Sequence, residues 1–170
     1  MQWSDFAPVP DLKLRLVAGL TAAGSPAIQG LYFRPGEVLG GERNDSYPLI
    51  LEAVRQLKAY FERRLRDFDL PLDPRGTAFQ LQVWNALTTI PYGETRSYLD
   101  IARIIGNPKA VRAVGAANGQ NPISIIVPCH RVIGSGGSLV GYGGGLPLKK
   151  QLLELEHANS LPFEGQIAVH

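Results

Sequence analysis

Cys129 is the only cysteine of the 170-residue chain, and a histidine follows it directly, in the sequence Pro128-Cys129-His130-Arg131-Val132. A thiol attacks carbon as its thiolate, and a neighbouring base or positive field supplies that form near neutral pH. Here His130 is the candidate base, and Arg131 adds a positive charge. This pattern is typical of a nucleophilic cysteine, although many free cysteines are simply buried in a core.

The composition excludes several other classes of protein. With 45% hydrophobic residues and a mean hydropathy of −0.02, it is typical of a soluble globular protein. A single cysteine rules out an internal disulfide network and a multi-cysteine metal site. No apolar run has the length of a membrane span, and residues 1–5 lack a signal-peptide pattern. We therefore expect a cytoplasmic protein without a metal or a membrane partner.

Positive charge is concentrated around the cysteine. Between residues 96 and 150 there are seven basic residues and one acidic residue, a net charge of +6, so the rest of the chain carries about −4. A basic stretch is often only a solvated surface, but its position beside a reactive thiol favours a polyanionic partner such as DNA.

Patterns along the chain predict the helices and strands that position Cys129. Leucines alternate with basic residues from 12 to 16, as in a half-buried strand, and residues 31–33 form a second short strand after a turn at 24–26. Apolar residues recur every three or four positions from Pro48 to Phe68, which predicts an amphipathic helix. Because no group of residues here suggests chemistry, we expect this part to be structural.

Capping residues predict three further helices. Thr77 and Gln80 have the spacing of a capping box at the start of the first helix, whose apolar stripe is typical of core packing. Ser97 caps the second helix, which Gly106 ends, and Asn107 caps the third, with a proline in its first position. Two short helices joined by a tight turn fit a helix-turn-helix or a plain helical hairpin.

The third of these helices has an alanine-rich face, formed by Ala113, Ala116 and Ala117 between Lys109 and Arg112. A helix that reads sequence in the major groove needs polar side chains that reach base edges, and alanine offers none. This thin face suits close approach to a minor groove without sequence preference. The alternative is that small residues permit tight packing between helices.

Several motifs, in order along residues 76–156, resemble the O6-alkylguanine-DNA alkyltransferases, also called methylated-DNA–protein-cysteine methyltransferases. Residues 128–132 match their Pro-Cys-His-Arg-Val active-site motif, and Asn121-Pro122 matches an Asn-Pro pair at the family's spacing before the cysteine. Residues 106–115 resemble the family's DNA-recognition helix, residues 141–146 resemble its substrate loop, and residues 149–156 resemble its closing helix. The first seventy or so residues match only in general layout.

The resemblance implies an α+β fold in two domains. A small α/β (RNase H-like) domain is followed by a mostly helical domain with a winged-helix-like helix-turn-helix. Two prolines and a glycine within residues 69–76 favour a boundary there. We therefore predict a structural domain over residues 1–72, a DNA-binding and catalytic domain over 73–160 and a tail over 161–170.

The resemblance also implies the reaction. Cys129 attacks the alkyl carbon of O6-alkylguanine, with O4-alkylthymine as a second candidate lesion, in a single irreversible turnover without a cofactor. His130 is implied as the base, acting through a water because neighbours in an extended chain point to opposite faces. Glu156 is implied to orient the imidazole, and Asn121 is expected to brace the turn before the cysteine.

Chemistry on a base edge also requires the nucleotide to leave the stack of duplex DNA. Arg112 is implied as the finger that fills the gap, and Tyr98 as the residue that turns the neighbouring phosphate. Tyr142 and Gly143 are implied to line the base pocket. Gly143 stands where some relatives have serine, which favours a roomier pocket and leaves the preferred alkyl size open. The other implied substrate or DNA contacts are Ala113, Ala117, Lys109, Arg131, Val132 and Lys149.

Three rival functions fit parts of this pattern. A non-catalytic relative that binds alkylated DNA would lack the cysteine, and a helix-turn-helix regulator would need a more polar recognition helix. A cysteine hydrolase built on Cys129, His130 and Glu156 would turn over and need no basic surface. The motifs together predict a monomeric alkyltransferase acting on duplex DNA.

Overall fold

A computed structural model describes residues 1–33, 36, 40–137 and 141–160, so the predicted tail lies outside the described residues. The fold is mixed α and β, as predicted. Its first part contains β1 (Gln2–Val9), β2 (Leu12–Leu20), β3 (Pro26–Tyr32), β4 (Glu42–Arg43) and α1 (Pro48–Phe61). Its second part contains α2 (Ala78–Leu87), β5 (Arg96–Ser97), α3 (Tyr98–Ile104), α4 (Val111–Gly119), β6 (Val132–Ile133) and α5 (Leu146–Ser160). Within the described ranges, no helix is long and apolar enough to cross a membrane.

The first four strands form one sheet in the order β3-β2-β1-β4, antiparallel except for the β1–β4 pair. The alternation in β2 predicts a strand with one wet face, but its residues from 14 to 19 are all buried. Arg15 on the expected wet face is covered because it binds Asp5 at 2.6 Å and lies over the ring of Trp3. Both of these residues belong to β1, a strand that the sequence patterns do not predict.

The first helix is shorter than its apolar period predicts. It ends at Phe61 rather than at Phe68, and Arg63 then adopts a positive φ of 62°, which is not helical. Leu51, which belongs to the predicted apolar stripe, is 52% exposed. Gln56, a polar residue outside that stripe, is buried, because its side-chain amide exchanges hydrogen bonds with the backbone of Asp69.

The second helix begins as predicted, with a complete capping box between Thr77 and Gln80. Its buried face lies in a hydrophobic core that continues from the sheet to the later helices. On this face the indole Nε1 of Trp84 donates a 2.8 Å hydrogen bond to the carbonyl oxygen of Ala117. This bond ties α2 to the last turns of α4.

The pair of short helices is present, but the second begins later than predicted. Ser97 caps α3 through a capping box with Asp100, and Gly106 follows that helix with a φ of 77°. The prediction that Asn107 caps the next helix is wrong. Its carbonyl oxygen accepts the N–H of Ala110 at 3.0 Å in a turn, and α4 starts only at Val111. The two helices pack against each other and against α2.

Candidate functional site

Cys129 opens a short 3-10 turn, Cys129–Arg131, between the buried segment 123–127 and β6. The expected extended chain is therefore absent, and neighbouring side chains leave this turn about a third of a revolution apart rather than on opposite faces. The approach to the turn holds Ile125 at a φ of 69°, which is strained for a β-branched residue. Strain of this kind is found preferentially at functional sites.

Two asparagine side chains hold the backbone around the thiol. The predicted bracing by Asn121 is present, since its Nδ2 donates to the carbonyl oxygen of Val127 at 2.8 Å and its Oδ1 accepts the N–H of Ile123 at 3.0 Å. Asn118, near the end of α4, donates to the carbonyl oxygen of Cys129 at 3.5 Å. The end of α4 and the turn that carries the thiol are thus directly connected.

The thiol lines a pocket of about 250 Å³. Residues from the end of β3, the end of α4 and the glycine-rich loop also line it: Tyr32, Phe33, Asn118, Gly119, Tyr142 and Gly143. The structure therefore brings Tyr142 and Gly143 to the cysteine, as the resemblance implied. It also brings Tyr32 and Phe33, for which the sequence predicts only a structural strand. Their local pattern is that of ordinary strand residues, so no signal in it marks them.

A buried polar cluster surrounds Glu156 on α5. His130 and Glu156 are brought together, with 2.8 Å between Nε2 and Oε2, and both are almost completely buried. Arg131 donates to the same carboxylate through Nε at 2.8 Å and through Nη2 at 3.0 Å. Tyr60 of α1 adds a hydrogen bond from its hydroxyl at 2.6 Å. One carboxylate therefore has three side-chain partners, of which the sequence motifs indicate only the histidine.

The surroundings favour an ionised glutamate beside a neutral histidine. Burial acts to raise the pKa of Glu156, but the hydrogen bonds from His130 and Arg131, together with the charge of Arg131, outweigh it and lower the pKa to about 2. Burial lowers the pKa of His130 below its ordinary value, against the opposing effect of Glu156. Because a carboxylate only accepts, neutral His130 donates through Nε2. Its lone pair then lies on Nδ1, which has no hydrogen-bond partner among the described residues.

The thiol itself is not strongly acidic in this state. Burial raises the pKa of Cys129, while a hydrogen bond from Asn121 and the charge of Lys149 oppose that rise. Lys149 is completely buried on α5, and its Nζ donates to the carbonyl oxygen of Val132 at 2.7 Å. A base is therefore needed to form the thiolate, with help from the positive charge of this lysine.

Four residues predicted to contact DNA or substrate are buried, so they are not part of an exposed binding surface. Arg131 is 6% exposed and bound to Glu156, and Ala117 is 2% exposed, so neither lies on the outer surface of the molecule. Val132 lies in β6 with its side chain fully buried, and its carbonyl oxygen is already bonded to Lys149. Arg131 and Lys149 are among the seven basic residues counted between 96 and 150, but because both are buried they do not contribute to a basic surface.

The other predicted DNA contacts lie on the outside of the paired helices. Lys109, Arg112 and Ala113 are exposed, and Tyr98 is partly buried at the start of α3. Burial, then the nearby Cys129, raises the pKa of Tyr98, which keeps its phenol protonated as a donor. Since Asn118 and Gly119 of the pocket belong to α4, the exposed face of that helix leads directly to the thiol.

Because His130 is buried in its neutral form, we expect the folded state to lose stability as the pH falls below about 6.5. The unfolded chain binds a proton there at the ordinary histidine pKa of 6.5, whereas the folded chain does so only at lower pH. Glu156 adds a further loss between its ordinary pKa of 4.5 and about 2. Melting temperatures of the wild type and His130→Gln across this range test the effect. If the melting temperature of the wild type changed with pH near pH 6 as it does in His130→Gln, the proposed effect of His130 would be contradicted.

This combination defines a class of protein: an α+β fold in which a buried thiol, followed by a histidine paired with a glutamate, lies beside an exposed basic helix pair. Residues 78–158 match the family model described as 6-O-methylguanine DNA methyltransferase, DNA binding domain. The crystal structure of Mycobacterium tuberculosis OGT in complex with DNA is similar, with a TM-score of 0.82 and 47% identity over 94% of each chain. The chain belongs to the methylated-DNA–protein-cysteine methyltransferase family.

Relatives that carry this family name are similar over somewhat less than two thirds of this chain. The Methanosarcina acetivorans protein is 65% identical over 105 residues, which cover 62% of this chain and 67% of that protein. The Mycobacterium bovis protein is 65% identical over 108 residues, which cover 64% of this chain and 66% of that protein. The aligned segment thus spans about two thirds of each relative.

Proposed function

We propose that this protein repairs DNA by transferring the alkyl group of O6-alkylguanine to its own Cys129. The observation that carries this function is a single buried thiol in a small pocket, directly followed by a histidine paired with Glu156 at 2.8 Å. The match to the family model, over residues 78–158, contains all three of these residues. Incubation with duplex DNA containing O6-methylguanine, followed by measurement of the mass of the intact protein, tests the proposal.

The transfer step is proposed to begin with the thiol and the imidazole of the adjacent residues. The proton of the Cys129 thiol passes to Nδ1 of His130, with a water molecule between the sulfur and the nitrogen as the carrier. The sulfur then forms a bond to the alkyl carbon while the carbon–oxygen bond to guanine breaks. The proton held by His130 replaces the alkyl group on the departing guanine, so atoms and charge balance. The product is a thioether, which has no easy leaving group, and the protein reacts once.

Two further residues assist this step. Glu156 holds His130 in the tautomer that leaves Nδ1 available, and its negative charge stabilises the imidazolium that forms. Lys149 contributes a positive charge close to the thiol, which favours the thiolate. Both groups are buried, so their interactions with the reacting residues are screened little by solvent.

Duplex DNA is proposed to bind the exposed side of α3 and α4 through its minor groove, without sequence preference. Lys109 and Arg112 supply positive charge, and the exposed Ala113 and Ala116 permit close approach. Arg112 is proposed to fill the gap left by the flipped base. All groups that take part in the reaction come from one chain, so a monomer is sufficient.

The finer description of the fold is proposed on similar grounds. The four-stranded sheet with α1 packed on it is consistent with an RNase H-like domain over residues 1–72. The pair α3 and α4, beside the short β5–β6 pair, is consistent with a winged-helix-like helix-turn-helix over residues 73–160. The bridge between Leu31 and Ile123 joins the two parts close to the thiol pocket.

Arg112→Ala is expected to slow repair of duplex DNA by roughly 10- to 100-fold, because the flipped base is no longer held in place. Affinity for DNA should fall by much less, since one exposed cation is a small part of the total electrostatic attraction. Transfer from free O6-alkylguanine base, which needs no flipping, should change little. Single-turnover rates on both substrates check this prediction.

Arg55→Ala is the matched control, because Arg55 is an exposed arginine on α1 that pairs with Glu52, away from the helix pair. This variant should match the wild type on both substrates. Equal losses for Arg112→Ala on duplex DNA and on free base would mean that Arg112 supports the fold or the pocket instead.

A further inference from the structure

Tyr60 connects the N-terminal part of the molecule to the reacting groups. Its side chain is completely buried on α1, and its hydroxyl donates a 2.6 Å hydrogen bond to Oε2 of Glu156, 96 residues further along the chain. The same oxygen lies 2.8 Å from Nε2 of His130. Tyr60 lies outside every motif that the sequence analysis identified, and outside the family-model match.

The ring of Tyr60 is fixed by aromatic neighbours. Phe61 packs edge-on at 5.3 Å between centroids, Phe68 lies at 5.3 Å, and Tyr92 lies edge-on at 6.2 Å. Burial, then the charge of Glu156, raises the pKa of Tyr60 well above its ordinary value. The phenol therefore stays protonated and donates to the carboxylate from one position.

We propose that Tyr60 is a positioning residue of the transfer reaction, which shares Oε2 of Glu156 with His130 and so limits how firmly His130 keeps the proton of the thiol. The inference rests on the proposed function. An extra donor on Oε2 withdraws charge from the oxygen that stabilises the imidazolium. Tyr60 thus keeps the imidazolium acidic enough to return its proton to the departing guanine. Without the hydroxyl, Glu156 binds the imidazolium more strongly.

Other charged or titratable groups also face the histidine–glutamate pair, and the inference depends on their remaining in place. They come from the turn, the glycine-rich loop and α5: Arg131, Tyr142 and Lys149. Tyr92, from the segment after α2, packs on the ring of Tyr60. Tyr60→Phe keeps the ring and removes a single oxygen, so these neighbours keep their positions. A change in the titration of His130 can then be assigned to the lost hydrogen bond.

The experiment is a titration of the imidazole nitrogens by NMR in the wild type and Tyr60→Phe. The chain has three histidines, so His157 and His170 serve as internal references. We expect the pKa of His130 to rise by roughly 0.5 to 1 unit, a fraction of the strength of a hydrogen bond to a charged group. The acidic limb of the pH profile of the single-turnover transfer rate should move upward by the same amount.

Tyr47→Phe is the matched control, because it removes a hydroxyl just before α1, and Tyr47 is not among the described hydrogen-bond partners of Glu156. It should leave both curves unchanged. A lower melting temperature in Tyr60→Phe with both curves superimposed on the wild type would reduce Tyr60 to a structural residue and overturn the proposal. If His130→Gln keeps the wild-type rate and pH profile, the proposed base itself is wrong, which is a separate failure.

Discussion

Replacing Cys129 by alanine is expected to abolish alkyl transfer and leave affinity for duplex DNA within a few-fold of the wild type. The chain has no second thiol to take over, since Cys129 is its only cysteine. Binding is proposed to depend on the exposed side of α3 and α4, whereas the thiol is buried in a pocket. Methyl transfer from a labelled duplex and fluorescence anisotropy on the same oligonucleotide measure the two properties separately.

Cys129→Ser is the control for the chemistry, because it keeps the size of the side chain and replaces the thiol by a much less acidic hydroxyl. It should bind DNA like the alanine variant and transfer no measurable methyl group. Loss of DNA binding in both variants would show that the pocket and the binding surface cannot be separated as proposed.

Glu156→Gln is expected to affect both stability and rate strongly. The free energy of unfolding should fall by about 3–5 kcal/mol, because Arg131 would remain buried without the carboxylate that it binds. Transfer should slow by about 100-fold, since His130 loses the negative partner that orients it and makes it a stronger base. Denaturant unfolding measures the first effect, and single-turnover kinetics measure the second.

The same variant should also raise the apparent pKa of the thiol, which iodoacetamide labelling across pH reports without interference from other cysteines. Glu154→Gln is a matched control on the same helix, because Glu154 is exposed and lies 3.9 Å from Lys150. It should change neither stability nor rate appreciably. Superimposable labelling curves for the wild type and Glu156→Gln would leave Glu156 as a purely structural anchor.

The cluster around Glu156 also explains how so many polar groups are buried together. Arg131 neutralises the charge of Glu156, while His130 and Tyr60 are neutral and act as donors to the carboxylate. A buried charge is costly unless it is paired and hydrogen-bonded, and here it is both. Substitutions in this cluster are therefore expected to change protein stability as well as the transfer rate, so both should be measured for each variant.

Local signals predicted the features that depend on neighbouring residues. The capping boxes at Thr77 and Ser97 form because each joins residues three positions apart, and such contacts can be read from sequence. The proximity of Cys129 and His130 is likewise a property of adjacent residues. Glu156 lies far from Cys129 along the chain, so no local signal predicts its role. Only the resemblance to the family indicated it.

Features that depend on tertiary contacts were not predictable in this way. Arg131 and Lys149 were counted as surface cations, because a sequence records charge but not which carboxylate or carbonyl oxygen the folded chain supplies. Tyr60 and Phe33 reach the site only through the packing of the first part of the chain on the second. The start of α4 shifted because a turn at 107–110 satisfied the backbone of Asn107 before the helix began.

The mass of the intact protein, measured after incubation with an excess of duplex DNA containing O6-methylguanine, tests the proposed function most directly. One methyl group per chain, located on the peptide that contains Cys129, with moles of lesion repaired equal to moles of protein, is the predicted result. An unmodified protein that repairs several equivalents of lesion would contradict self-alkylation and would instead indicate a cysteine hydrolase that turns over.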